Sequence, residues 1–428
     1  MSSLDLDAET NFNLSFPLPY RVLVLIGLGI FAWATNLHGL HVLGIDAVGA
    51  LELRTEGQIP RTPSHSNRLN LQSKHVSPSV VYLPTYSLFF TYGAFCFISW
   101  TLYRVCTKGN DVLIDAFGYI PLTTGLIILM VLVCPMNIVF KYERDKFLRA
   151  LYRCLLSPYH APVRFSDVVF ADIVTSFAKV LGDVWLSLVM LLPGNTVLAG
   201  PAEVGWHRWI LPAIMSFPYL VRFRQCVIEY AQPSGSSRRP LYNAIKYATA
   251  FPVIFLSAAQ KSAPEDDSIL QTTFEPQWHG MFRLWLLSAA INSTYSFWWD
   301  ITNDWGLELL TPGPGQRSYP WGLRPMLLYP LPIYPLLVFL NLILRMTWSI
   351  KLSSHLYSVG DGGVGIFWLE VAEIVRRWLW VFLRVEWEVI KKLHDGNPKG
   401  RPDDFNFSSG GDYEMVPTTP EEHLLLNP

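Results

Sequence analysis

The sequence predicts an all-α, polytopic membrane helix bundle of about eight to ten transmembrane helices, at roughly 20 residues per span. Three observations carry that prediction. The chain of 428 residues is 51% hydrophobic and 14% aromatic, yet only 16% charged, where a soluble domain carries about 25% charge. Mean hydropathy is +0.26. The apolar residues are gathered into separate runs, each long enough to cross a bilayer. The formal net charge of -1 spreads no basic field over the molecule, which excludes nucleic acid as a partner. Membrane lipid is the implied surrounding.

In chain order, the first span is expected near residues 20–43, behind an acidic stretch with Asp5, Asp7 and Glu9. That charge sign does not suit a cleavable leader. A polar loop over 51–78, rich in Arg, Ser, His and Pro, comes after it. The second and third spans are expected over 81–104 and 119–140, the latter interrupted by Pro135. A basic segment holding Lys141, Arg144, Lys146, Arg149, Arg153 and Arg164 comes next. The fourth span is expected over 168–192 and the fifth over 206–221. Arg222, Arg224, Arg238 and Arg239 then form a second basic link. The sixth span is expected over 241–259, with an acidic loop beyond it at Glu265, Asp266 and Asp267. The seventh begins near Met281, the eighth covers 326–350 and the ninth 364–383. Basic links favour the cytosolic side. The basic segments and the tail from Lys391 are therefore cytosolic, and the links near Gly194 and Asp266 are lumenal or external. Counting back puts the N-terminus outside, where Asn13-Leu14-Ser15 is a glycosylation sequon.

The seventh span ends in Tyr295-Ser296-Phe297-Trp298-Trp299-Asp300, and continues to Asp304-Trp305-Gly306. In a helix, Asn292, Ser296, Asp300 and Asp304 form one polar stripe, with the two carboxylates about 6 Å apart. Acids at that depth must face protein, water or a cation. Other spans carry charge as well. The fourth holds Asp172, Thr175, Lys179 and Asp183, and the sixth holds Lys246. The eighth holds Asn341, Arg345 and Ser349 at steps of four, with Trp348 beside them. The ninth holds Glu373, Arg376 and Arg377, with Arg384 and Glu386 beyond.

Two readings fit this set: ion pairs that tie helices together, or a polar path for an anion. Arg forks and a Lys point charge suit a tetrahedral oxyanion such as phosphate, and conduction needs a site that also releases. The Asp300/Asp304 spacing by itself is also compatible with a divalent metal. Trp298, Trp299, Trp305, Trp378, Trp380 and Trp387 read as interfacial belt anchors. Cys96, Cys106, Cys134, Cys154 and Cys226 show no ligand spacing, so buried thiols are expected and neither a disulfide framework nor a metal site. His207 and His279 look interfacial, and Gly360 to Gly363 reads as a turn. No nucleophile elbow or P-loop is present. No cofactor and no enzymatic activity are expected.

The C-terminal half resembles the EXS-domain family over about residues 167–388. The resemblance is carried in order by Arg222-Phe223-Arg224-Gln225-Cys226, Asn243-Ala244-Ile245-Lys246-Tyr247, the Tyr295 to Gly306 stretch, Leu344-Arg345 with Trp348, Glu373-Ile374-Val375-Arg376-Arg377 and Arg384-Val385-Glu386. That family includes the membrane half of eukaryotic phosphate exporters and shorter fungal Golgi proteins concerned with retention of endoplasmic-reticulum residents. The resemblance implies a phosphate path in which Lys246, Arg345, Arg376 and Arg377 contact the anion. Asp300 and Asp304 would organise these cations, Asp172 would sit at the cytosolic mouth, and Trp348 would act as a gate. Departures are Ile228-Glu229-Tyr230, where a basic pair is often found, and Thr175, where Asn is common.

With only a short stretch before the first span, an inositol-polyphosphate-sensing SPX domain is not expected, which favours the Golgi-type branch. The organisation implied is an extramembrane N-terminus (1–19), N-terminal transmembrane helices and loops (20–166), an EXS-type transport bundle (167–390) and a disordered cytosolic tail (391–428). The expected role is phosphate permeation in the Golgi membrane, returning lumenal phosphate and supporting glycosylation and retention; endoplasmic reticulum or plasma membrane are the alternative locations. The rival reading is a sorting or retention factor whose cytosolic segments recruit coat or adaptor proteins without transport. A homodimer is left open.

Overall fold

Every regular element among the described residues is a helix, which is how a chain in lipid satisfies its own backbone. The computed structural model describes residues 11–53, 79–159, 161–192, 205–232, 237–261, 268–307, 326–346 and 363–395, with 196, 309 and 323–324 between them. The expected polar loop beyond residue 53, the acidic loop at 265–267, Trp348 with Ser349, and the turn at Gly360 to Gly362 lie outside the described residues.

Helix α1 (Leu18–Val42) opens on Pro17 with Pro19 in its first turn, where a missing N–H costs nothing. After the single turn α2 (Ala47–Ala50), α3 (Ser79–Thr107) returns antiparallel to α1. Tyr20 Oη donates to Ser99 O at 3.1 Å, and Tyr92 Oη to Leu23 O at 2.8 Å. The outer side of α3 leaves Leu83, Phe90, Phe97 and Ile98 exposed, as a lipid-facing helix does. The short α4 (Asp111–Ala116) leads into α5 (Tyr119–Val133). The third span is expected to reach residue 140, but α5 ends before Pro135, which has no N–H to continue the ladder. The freed carbonyls are gathered by one guanidinium. Arg144 donates to Cys134 O at 2.7 Å, Met136 O at 3.2 Å, Ile138 O at 2.7 Å and Val139 O at 2.9 Å. Arg144 belongs to α6 (Lys141–Leu156), so the first basic segment is an amphipathic helix.

The expected fourth span is two helices, α7 (Phe165–Ser176) and α8 (Ala178–Met190), bent by 58° at Phe177. Gly29 of α1 lets the Phe177 ring at that bend pack close, because any Cβ there would run into it. A 3-10 turn (Gly205–Trp209) leads into α9 (Ile210–Ala231). That helix runs ten residues past the expected end, so Arg222 and Arg224 lie within it. The sixth span is also broken, into α10 (Arg239–Ala248) and α11 (Ala250–Lys261). Helix α12 (Ser268–Trp299) passes into a π-turn over Asp300–Asp304. Gly306 then stops it at φ 62. Helix α13 (Ile333–Arg345) is shorter than the eighth span expected. Helix α14 (Gly363–Asp395) is longer than the ninth. Residues 391–395, expected in a disordered tail, are therefore helical, and the rest of that tail lies outside the described residues.

By length and hydropathy, α1, α3 and the Leu113–Val133 stretch can each cross a membrane, and the bent α7–α8 pair makes a fourth. The later helices carry charge at mid-length, and that charge meets in the interior. Trp299, Trp305 and Trp380 are buried. They are core rather than belt residues; Trp305 and Trp380 pack with Leu40, Ile301 and Tyr334 in the largest apolar cluster. The five cysteines are free and buried or half-buried.

Helices α1 and α14 run parallel. Arg21 packs against Gly363 at one end, and Lys392 Nζ donates to Ala50 O at 3.0 Å at the other. The basic segments gather at the Lys392 end. Lys146 reaches Leu53 O at 3.4 Å, and Gln232 reaches Ala161 O at 3.0 Å. At the Arg21 end, Trp100 Nε1 donates to Ser15 O at 3.1 Å, and Thr196 Oγ1 donates to Asp115 at 3.0 Å.

Candidate functional site

The chemistry is concentrated where α10, α12, α13 and α14 meet. Lys246, near the C-terminus of α10, is buried, with Nζ 3.1 Å from Asp300 Oδ1 and 3.1 Å from Asp304 Oδ2. Both acids stand on the π-turn, where the backbone is wider than an α-turn. Trp305 N bonds Asp300 O at 2.9 Å, five residues back.

Asp300 is 0% exposed and collects cations from three helices. Besides Lys246, Arg345 at the end of α13 donates to Asp300 Oδ2 from Nη2 at 2.5 Å and from Nε at 3.1 Å. Asn341, one turn earlier, reaches the same oxygen at 3.4 Å. Arg376 of α14 places Nη1 3.8 Å from it. A buried carboxylate is tolerable only when paired, since an uncompensated buried charge costs about 3–5 kcal/mol. Arg376 is itself oriented by Glu373, whose Oε2 accepts its Nε at 2.9 Å. Glu373 also accepts Ser176 Oγ at 2.9 Å.

Arg377 is held differently. It donates from Nε to Ser176 Oγ at 3.0 Å and from Nη2 to Thr175 Oγ1 at 3.2 Å, and lies 4.6 Å above the Trp380 ring. Among the described residues it has no carboxylate partner. Its charge is fixed in place by neutral groups.

These side chains surround one cavity of about 210 Å³. Lys246, Arg345, Arg376 and Arg377 line it with Glu373 and Tyr219, and Thr175, Asn292, Ser293 and Ser296 complete a polar wall. The sequence-predicted cations thus face a shared space, and Asp300 and Asp304 stand behind them. Asp172 does not line it. Its buried carboxylate accepts Arg222 Nε at 2.8 Å and Tyr247 Oη at 2.5 Å, in place of the expected position at an open mouth. Arg222 Nη1 reaches Gln225 Oε1 at 2.6 Å, so Arg222 is fully consumed. Trp348 is not among the described residues.

Among the buried cations that sequence reasoning missed, Arg222 and Arg324 lie closest to this chemistry. Arg222 looked like the first residue of a cytosolic link, although the Arg-Phe-x-Gln-Cys pattern containing it was visible. Arg324 carried no signal. It pairs with Glu386, which also accepts Leu328 N at 2.8 Å and Tyr334 Oη. That set ties the segment after the π-turn to α14. Among the described residues no group of three or more His, Cys, Asp or Glu could hold a metal ion.

The EXS family profile matches residues 16–390 of this chain. The chain is 31% identical to Protein ERD1 homolog 1 of Schizosaccharomyces pombe over 397 residues, which is 91% of this chain and 95% of the relative. It is 28% identical to Phosphate transporter PHO1-1 of Oryza sativa subsp. japonica over 301 residues, 67% of this chain and 35% of that protein. It is 26% identical to Solute carrier family 53 member 1 of Homo sapiens over 418 residues, 93% of this chain and 52% of that protein.

Proposed function

The chain belongs to the EXS family, and from that premise we propose that it passes inorganic phosphate across the membrane through the cavity between α7, α9, α10, α12, α13 and α14. One observation carries the reading. Four cations from three helices line the same polar space, and Arg377 among them is positioned by hydroxyls and an aromatic face, with no direct ion-pair partner among the described residues. A planar fork and point charges at that spacing suit a tetrahedral oxyanion. Asp300 and Asp304 hold Lys246 and Arg345 at the wall, so the anion meets cations already in position, with acids beside them that keep binding weak enough for release.

Relatives named as a phosphate transporter and as a solute carrier support phosphate as the cargo. Similarity to ERD1 proteins over nearly the whole chain supports the Golgi branch. In that setting the protein returns lumenal phosphate to the cytosol, which sustains glycosylation and retention of resident proteins. The chemistry asked of the site is binding and release, with no bond made or broken.

The test is phosphate flux into proteoliposomes. Wild type carries phosphate, and Asp300→Ala and Arg345→Ala lose most of that flux, because each breaks the buried pair that holds the cations at the wall. Equal flux in all three sinks the proposal. A second reading, adaptor recruitment, is favoured by the exposed Tyr142, Phe147 and Tyr152 on the basic helix α6. If reversing Lys141 and Arg149 to Glu abolishes retention of Golgi enzymes with flux intact, that reading wins.

A further inference from the structure

A second, much smaller cavity lies behind the site, between α1, α7 and α14. It has a volume of about 20 Å³, and its walls include Gly29, Ala32, Phe177, Ile374, Asn36 and Arg377. Arg377 therefore separates the two cavities, lining both. Apart from the indoles of Trp33 and Trp378, the latter already donating to Thr35 Oγ1 at 2.9 Å, the polar side chains in the wall are two. Asn36 is 2% exposed and Arg377 6%. Asn36 Oδ1 and Arg377 Nη1 are both buried without a hydrogen-bond partner among the described residues. One is an acceptor and the other a donor. A buried polar atom left unmatched is costly, and an amide inside an apolar membrane helix needs a reason.

The volume decides what can match them. A single water needs about 10–15 Å³ and at least two polar partners. This space exceeds that minimum and falls far short of what a phosphate or an organic ligand occupies. A water that donates to Asn36 Oδ1 and accepts from Arg377 Nη1 would pair both atoms at once.

We propose that this cavity is a binding site for one ordered water bridging Asn36 and Arg377, and that Asn36 is a positioning residue for the guanidinium. The second half of the proposal rests on the phosphate reading given above. Arg377 is held on its other sides by Ser176, Thr175 and the Trp380 ring. The water closes the remaining side, so the guanidinium stays turned toward the larger cavity without an acid to anchor it.

Full-length protein carries the test. A map resolving waters shows a density peak about 2.7–3.2 Å from both Asn36 Oδ1 and Arg377 Nη1; an empty cavity overturns the proposal. Asn36→Thr and Asn36→Val have the same shape and differ in one hydroxyl, so a packing defect affects both alike. Phosphate binding, read as thermal stabilisation against inorganic phosphate concentration, has its half-saturating concentration raised about tenfold in Asn36→Val, the scale of one buried donor left unmatched. In Asn36→Thr it stays within about threefold, because an oxygen is retained. Equal half-saturation in both variants and wild type overturns the positioning role. If both variants fail to fold, the wild-type map decides the water by itself. If wild type shows no stabilisation by phosphate, the transport reading falls, and the water site stands or falls on the map.

Discussion

At the scale of single residues, the chain separates cations that are consumed from cations that are available. Arg222 spends its donors on Asp172 and Gln225 and lies 4.9 Å over the Tyr247 ring. Arg377, at a cavity wall, makes its hydrogen bonds to hydroxyls and no direct ion pair among the described residues. The difference predicts opposite mutational behaviour. Asp172→Leu and Arg222→Leu each strand a buried charge and destabilise by about 3–5 kcal/mol. The double variant removes both charges and is less destabilised than the two singles added together. Thermal unfolding midpoints in detergent check this, and strict additivity would refute the buried pair. The contrast also marks what the sequence disclosed. Lys246, Asp300, Arg345 and Arg376 were legible because charge within an apolar run is expensive and needs a partner. Arg222 was not, because a cation at a helix end reads equally well as ordinary cytosolic bias. Arg324 sits outside any periodic run, so no pattern exposed it.

At the scale of elements, the site depends on departures from regular helix. The π-turn at Asp300–Asp304 lets two carboxylates reach one ammonium. Deleting Thr302 shortens that turn by one residue and rotates the residues after it by about 100°. Asp304 then leaves Lys246, and phosphate flux in proteoliposomes falls; unchanged flux would show that the wide turn is incidental. The 58° bend at Phe177 has a comparable effect, since it sets Thr175 and Ser176 against Arg377. Neither feature was visible in the sequence. Hydropathy runs straight through Phe177 and Thr249, and a reading at 3.6 residues per turn cannot register a local i→i+5 ladder. Pro135 was visible, because a missing N–H leaves an unambiguous mark.

At the scale of the whole molecule, the parallel run of α1 and α14 sends the two ends of the described chain to opposite faces. A protease-protection assay on sealed vesicles carrying tags at both termini checks this. One tag is cleaved before detergent and the other only after it; cleavage of both from outside would contradict the arrangement of Arg21 on Gly363 and Lys392 on Ala50. The bundle's all-helical, membrane class was legible from composition, because no soluble core tolerates so much exposed apolar surface. The way its charges balance was not, since that needs the helices in place. Lys246, Arg345, Arg376 and Arg377 are set against Asp300, Asp304 and Glu373, a surplus of one positive unit among the described residues. A singly protonated, doubly negative guest would overshoot that surplus, whereas the monovalent form cancels it. On the phosphate reading proposed above, that balance favours the monovalent species, which an acidic compartment enriches.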